Sequence, residues 1–260
     1  MTADDTALLA SLPALAFQAM LLFCRLGAAT MLLPGLGEQE VPANIRLGLG
    51  LLLTMLLLPV LAPLLPQAPE APLELLRLII IEIAAGLWLG TLARLLVVAL
   101  AQAGQVIGNM IGMTTPLQGD AALGAQGTAL GRFLGFAATV LVLSSGLYAL
   151  PLAALVHSYT VLPAGRPFPG DIAADAVAGM VAHSFSLALR LAAPFILAGV
   201  LFNLGMGLIA RVAPQIQIFV VAAPAQILAG LALLAVLLPA ILAMWHGAVA
   251  NGFQALPGAP

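Results

Sequence analysis

Few side chains in this sequence are equipped for chemistry, and they are scattered. Glu82 is the one acidic residue well inside an apolar stretch, and Arg25, Arg94, Arg132 and Arg190 are basic residues placed the same way. A carboxylate in such a setting has two readings: a step in a proton relay, or the partner of an arginine on a neighbouring helix. The second is the plainer one for a charge removed from water. His157, His183 and His246 lie far apart and match no metal-ligand spacing. The single cysteine, Cys24, excludes a thiolate cluster and an internal disulfide, and reads as a small hydrophobic filler. Gly48-Leu49-Gly50 lacks the third glycine of a dinucleotide fingerprint, the absence of lysine excludes a phosphate loop, and no Gly-x-Ser-x-Gly elbow occurs. The expectation is a protein with no catalytic step, no cofactor and no metal.

The elements that must hold these residues follow from composition. Apolar residues make up 63% of the chain and charged residues 7%, where a soluble domain carries about 25% charged residues to cover its surface. Most of the surface must therefore face lipid or other apolar protein. A formal net charge of −2, with all eight basic residues arginine, gives no reason to expect nucleic acid as a partner. The N-terminal Met1-Thr2-Ala3-Asp4-Asp5 is acidic where a cleaved secretory signal is basic, so the first apolar stretch is expected to be retained. No hydrophilic block stands apart, and residues 1–260 are read as a single domain.

Six long apolar segments are predicted, at 7–33, 45–65, 75–101, 128–157, 176–202 and 216–247. Each reaches the roughly 20 residues that a lipid-spanning helix needs. Leucine and alanine dominate, and the alternating stretches of about ten residues typical of barrel strands are absent. The fold class is all-α. Two features separate these segments from plain spans. An arginine at mid-bilayer costs about 2.5–3.5 kcal/mol on insertion scales, while a leucine returns only about 0.3–0.6 kcal/mol, so the embedded charges should face protein or water. Pro59, Pro63, Pro66, Pro69 and Pro72 end one helix and force an extended link, and Pro194, Pro214, Pro224 and Pro239 should kink or break the later ones. Helices of this kind suit a multi-subunit assembly better than open lipid.

Four stretches carry more information. Pro34 to Arg46 combines a tight turn, an acidic patch and a helix start ending in Arg46. In Gly104-Gln105-Val106-Ile107-Gly108-Asn109-Met110-Ile111-Gly112-Met113 a glycine recurs at every fourth position. The stripe either lets another backbone approach closely or marks a movable pore-lining element, with Met110, Ile111 and Met113 as a soft apolar seal that excludes water. Thr114-Thr115-Pro116 should end this helix at the tip of a hairpin. The run from Phe202 to Phe219 brackets a Gly-rich helix with polar Asn203 and Gln215, and Pro214 breaks it beside Arg211. Pro163 to Asp171 is a turn-rich connector whose Asp171 can cap the next helix.

Taken in order, these landmarks resemble the FliR family of flagellar type III export-gate proteins and its injectisome equivalents. The resemblance spans nearly the whole chain and rests on Arg25, Pro34, Gly37, Val41-Pro42 and Arg46, then Gly104 to Met113, then Arg211-x-x-Pro214-Gln215-x-x-x-Phe219 with Pro224. Gln217 stands where many relatives carry Asn or Ser. The resemblance implies kinked helices arranged as bent hairpins, in a gate built with FliP- and FliQ-type subunits beside FlhB- and FlhA-type export proteins. The assembly would sit in the bacterial inner membrane at the flagellar basal body and pass unfolded flagellar substrates through a central pore, with energy from an export ATPase and proton-motive force. Gly104, Gly108, Met110, Ile111, Gly112 and Met113 would form the plug. Arg25, Arg46, Glu82, Arg94, Arg132, Arg190, Asn203, Arg211, Pro214, Gln215 and Phe219 would be interface or buried polar positions. The alternatives are the injectisome counterpart and a proton-coupled small-solute transporter working through Glu82.

Overall fold

The computed structural model describes residues 3–38, 40–113, 127–212 and 218–259. Among the described residues there are seven α-helices and no strand. They are α1 (Ala3–Thr30), α2 (Ala43–Leu61, followed by a 3-10 turn at Ala62–Leu64), α3 (Pro72–Met110), α4 (Ala129–Ser144), α5 (Ala149–Val161), α6 (Gly170–Val212) and α7 (Ile218–Gln254). Five of these helices are long and apolar enough to cross a membrane, and α4 with α5 make a sixth candidate bent by 69°.

The bend corrects the fourth predicted segment, which is two helices rather than one. It falls at Ser144-Ser145-Gly146, where Gly146 takes φ of +76°, a region that glycine enters without the steric penalty of a Cβ. Of the kinks or breaks expected at the later prolines, no break occurs at Pro194, Pro224 or Pro239. The helices run on through Pro13, Pro59, Pro194, Pro224 and Pro239, so none of these residues ends its helix. Pro214 lies outside the described residues. The link after α2 is as predicted: the helix stops at Leu61 and the proline series leads to a new start at Pro72.

At 1.5 Å per residue, the 39 residues of α3 and the 43 of α6 give rods of about 58 and 64 Å, roughly twice the 30 Å of a bilayer hydrocarbon core. Neither helix can lie wholly within one membrane thickness while standing upright.

The chain divides into two compact units. Unit 1 comprises 1–94, 142–180 and 251–260; unit 2 comprises 95–141 and 181–250. In unit 1, α1 packs on α2 and α3 through glycine notches. A Cβ at Gly50 would lie 3.3 Å from the Gly27 Cα, and one at Gly90 would lie 2.9 Å from the Leu32 Cβ and 3.0 Å from the Ala29 carbonyl oxygen. Gly86 faces the Arg25 carbonyl at still closer range. Small residues four apart let these backbones approach until dispersion contacts hold them. Leu22, Leu26, Ala85, Leu89 and Leu155 are buried in this unit. In unit 2, Leu96, Leu100, Ala103, Ile107, Leu134, Phe195 and Trp245 are buried.

Candidate functional site

Unit 1 holds a buried polar hub. Glu82, Gly86 and Gly90 share one face of α3 at a spacing of four. The two glycines draw α1 close enough for Arg25 to meet Glu82 in a two-pronged pair. Arg25 Nε donates to Glu82 Oε2 at 2.7 Å, and Nη2 donates to Oε1 at 3.0 Å. The guanidinium also donates from Nη1 to Ser158 Oγ at 3.1 Å and from Nη2 to the Leu162 carbonyl at 3.0 Å. Its carbon stands 4.0 Å from the centre of the Tyr159 ring. Arg25 is 1% exposed and Glu82 is fully buried. Because Leu162 follows the last residue of α5, the cation sits where that helix presents open carbonyls and partial negative charge. Ser158 in turn donates to the Leu155 carbonyl at 2.6 Å. The hub therefore ties α1, α3 and α5 together with each guanidinium contact on a different chemical partner type: carboxylate, hydroxyl, carbonyl and ring face. The burial of such a cluster suits a fixed point, since separating the partners leaves a charge without water.

The loop after α1 is fastened nearby. Pro34 and Gly35 occupy the middle of a type II turn, with Leu36 N donating to the Leu33 carbonyl at 3.2 Å and Gly35 at φ +86°. Glu38 accepts from Gly35 N at 3.2 Å and lies 3.6 Å from Arg94, which also donates to the Gly37 carbonyl at 3.3 Å. Arg46 is half-buried at the start of α2, and its Nε has no partner among the described residues.

The second candidate lies in unit 2, at the end of α3. The glycine stripe has three separate duties there. Gly104 and Gly108 receive the start of α4: a Cβ at Gly104 would lie 2.8 Å from the Gly131 Cα, and one at Gly108 would lie 2.7 Å from Thr128 Oγ1. Gln105 Oε1 accepts from Thr128 N at 2.6 Å, and Thr128 Oγ1 donates to the Gly104 carbonyl at 3.3 Å and accepts from Gly131 N at 2.9 Å, so Thr128 caps α4. Gly112, at φ +78°, terminates α3 in a Schellman motif: Met113 N donates to the Gly108 carbonyl at 3.0 Å and Gly112 N to the Asn109 carbonyl at 3.3 Å.

Beyond that cap the tip of α3 is seated on α6 and α7. Gln226 Nε2 donates to the Met110 carbonyl at 2.8 Å. Ile111, 4% exposed, presses on Gly230 of α7, and a Cβ at Gly199 of α6 would lie 3.0 Å from the Met110 carbonyl oxygen. A partly open cavity of about 220 Å³ adjoins this seat, lined by Met110, Ile111, Phe195, Phe202, Gln226 and Leu233 among others. The close approach that the stripe allows is thus made within this chain. The expected helix end at Thr114-Thr115-Pro116 lies outside the described residues, and α3 ends at Met110.

The remaining sequence-derived positions are not drawn together. Arg132, Arg190, Asn203 and Arg211 are exposed on α4 and α6, and Arg211 stands in the last turn of α6, where a cation complements the helix dipole. Pro214 and Gln215 lie outside the described residues, and of Phe219 only the backbone, in the first turn of α7, is described. Asp171 stands in the first turn of α6 rather than before it. Sequence reasoning missed Ser158, Tyr159, Gln105, Thr128, Gln226, Gly199 and Gly230. Only the Glu82-Gly86-Gly90 spacing was a readable signal. Among the described residues no group of three or more His, Cys, Asp or Glu side chains could hold a metal ion.

Comparison with known proteins agrees in extent with the run of helices. The profile of bacterial export proteins, family 1, matches residues 16–252. The flagellar biosynthetic protein FliR of Caulobacter vibrioides is 37% identical over 89% of this chain and 94% of its own length. FliR of Escherichia coli is 30% identical over 80% of this chain and 79% of its own. The Yop proteins translocation protein T of Yersinia pestis is 31% identical over 55% of this chain and 56% of its own. With a family profile covering both units and a relative of this similarity over nearly its full length, the chain belongs to the FliR family of bacterial export proteins.

Proposed function

We propose that this chain is a core subunit of the flagellar type III export gate, assembling with FliP- and FliQ-type subunits around a pore that passes unfolded flagellar substrates. Family membership supports a membrane component of the flagellar export apparatus, and the flagellar relatives align over a larger share of the chain than the Yop translocation protein does. The observation that carries the finer reading is Arg190. It is exposed in the middle of a 43-residue apolar helix, amid exposed Phe185, Leu189 and Leu197. Against lipid that charge would cost about 2.5–3.5 kcal/mol; a sister subunit or a water-filled passage removes the cost. Arg132 on α4, beside exposed Phe133 and Phe136, makes the same demand.

The chain then works as a single export-gate domain of the inner membrane at the basal body, in contact with FlhB- and FlhA-type proteins. It is a conduit whose driving energy comes from partners. The end of α3, from Gly104 to Met113, supplies the closing element. Met and Ile contacts suit that duty because each is weak and none leaves an unpaired charge when it parts. Copurification from detergent followed by mass analysis tests the assembly: FliP- and FliQ-type subunits should accompany the chain, and a lone stable monomer contradicts the reading. For the closing element, deletion of Gly108 to Met113 should leave the complex intact and make cells leaky to ions. Unchanged permeability with an intact complex removes the sealing role.

The solute-transporter reading needs Glu82 to exchange protons with a passing substrate, yet its carboxylate is fully buried and occupied at both oxygens by Arg25. Export that survives in part in a Glu82→Gln variant separates the two readings.

A further inference from the structure

The seat of the α3 tip has an energetic form that its apolar packing alone does not require. Met110 is the last residue of α3, so its carbonyl is one of the four at a helix end without an intrahelical donor. Gly112 and Met113 close the motif on Asn109 and Gly108, which leaves the Met110 carbonyl facing α7. Gln226 supplies its donor at 2.8 Å, and the same side-chain amide lies about 3.5 Å from the position a Gly112 Cβ would take. Gly230, one turn along α7, leaves just the space that Ile111 fills, and the adjoining cavity of about 220 Å³ gives the tip somewhere to go when it leaves.

From this we infer that Gln226 is a latch: a positioning residue whose single neutral hydrogen bond to the Met110 carbonyl sets how readily the end of α3 leaves its seat on α6 and α7. The inference rests on the reading of the α3 end as the closing element. A neutral amide is suited to the task because releasing it exposes a donor and an acceptor that water can satisfy in the neighbouring cavity, whereas a charged side chain would lack a counter-charge in the apolar lining while the tip is seated. Ile111 in the Gly230 notch provides the register, and Gln226 provides the threshold.

The test uses the full chain in its assembled gate, in cells. Gln226→Met keeps the length of the side chain and removes the donor. Ion leak, read with a potential-sensitive dye, should rise roughly fivefold, the equilibrium equivalent of one net hydrogen bond. Gly230→Ala, which pushes Ile111 from its notch without touching the amide, should also raise the leak and serves if the first variant does not assemble. The opposite perturbation locks the tip. A Cβ at Gly199 would stand 3.3 Å from the Met110 Cβ, close to the 3.5–4.5 Å span of disulfides. In a Cys24→Ser background, Met110→Cys with Gly199→Cys should therefore cross-link under an added oxidant, block export of flagellar substrate, and recover on addition of a thiol reductant. Blocked export in the cross-linked protein together with unchanged leak in an assembled Gln226→Met gate, or with unchanged leak in Gly230→Ala where Gln226→Met does not assemble, overturns the latch and leaves the gate reading standing. Undiminished export in the cross-linked protein overturns both.

Discussion

Replacement of Glu82 offers the sharpest account of what the buried hub contributes. In Glu82→Ala the guanidinium of Arg25 keeps Ser158 Oγ, the Leu162 carbonyl and the Tyr159 ring, but loses its only counter-charge among the described residues and two of its four hydrogen bonds. Arg25 is 1% exposed, so water does not replace the missing partner. Breaking one side of a buried pair in this way costs about 3–5 kcal/mol, or two to nearly four powers of ten in a folding equilibrium at about 1.4 kcal/mol per decade. Glu82→Gln retains one acceptor oxygen and the shape, and its cost should fall to the range of one charge-assisted hydrogen bond, about 1.5–3 kcal/mol. Removing both partners in Arg25→Met with Glu82→Leu should cost least of all, since no buried charge is left. The penalty that persists there is the orphaned Leu162 carbonyl, about 1–3 kcal/mol.

The informative variant is the exchange Arg25→Glu with Glu82→Arg. A pure ion pair would survive it. Here the carboxylate at position 25 would face the Leu162 carbonyl at the negative end of α5, so the exchanged protein should be no more stable than Glu82→Ala. The assay is resistance to proteolysis across a temperature ramp for the detergent-solubilised chain, with the amount held in membranes as a second readout. Wild-type stability in the exchanged protein, or in Glu82→Ala, would refute the reasoning.

Other expectations follow from the close approaches. Leucine at Gly90 must displace the Leu32 Cβ and the Ala29 carbonyl, and should lower the stability of the α1–α3 pair by about 1–3 kcal/mol, as overpacking does, seen as earlier proteolysis between those helices. Gly35→Ala combines a left-handed backbone position with a Cβ only 2.7 Å from the Leu143 Cδ2; the backbone component alone is about 1–2 kcal/mol, and less protein should accumulate in membranes. Gly112→Ala should weaken the C-terminal cap of α3 by about 1 kcal/mol and speed hydrogen exchange at Ile111, Gly112 and Met113 while leaving amides near Leu96 unchanged.

How far the sequence reaches depends on the kind of interaction. Segment positions were legible because a run such as 212–260, without Asp, Glu, Lys or Arg, leaves no alternative to an apolar helix. The bend between α4 and α5 was not, because 133–165 is equally free of charge and hydropathy cannot register a change of direction; the local sign was Ser144-Ser145-Gly146. The third apolar segment is bounded at residue 101, while the Gly-rich stretch after it reads as helix up to Thr114, and α3 continues through that stretch to Met110. Glycine at 104 and 108 lowers helix propensity, and packing against Gly131 and Thr128 overrides it. For Glu82, an arginine on a neighbouring helix was foreseeable in kind, but the choice of Arg25 over the arginines of the other helices depends on which face Gly86 and Gly90 present to α1. Gln226 gave almost no signal, since an amide in a greasy helix acquires meaning only when a helix end is brought against it.

The two candidate sites differ in what it takes to open them. At the hub, a carboxylate, a hydroxyl, a carbonyl and a ring face all hold one guanidinium away from water, so partial opening strands a charge and the cluster moves as a whole or not at all. At the α3 tip, one neutral bond and the fit of Ile111 against Gly230 come apart in small steps, each of them comparable to thermal energy or a few times larger. A protein that had to let a chain pass would need both: fixed helices that do not yield to the passing polymer, and a closing element that does. A charge in place of Gln226 would meet no counter-charge in the lining of the adjoining cavity. Gln226→Arg brings a cation to an apolar seat that offers it the Met110 carbonyl, and water hydrates that cation better once the tip has left. Ion leak should therefore rise above the wild-type level, as in Gln226→Met. Leak at or below the wild-type level with Gln226→Arg, in a complex that assembles normally, would mean that one charge-assisted hydrogen bond outweighs the missing counter-charge and that the two sites do not differ in the way argued.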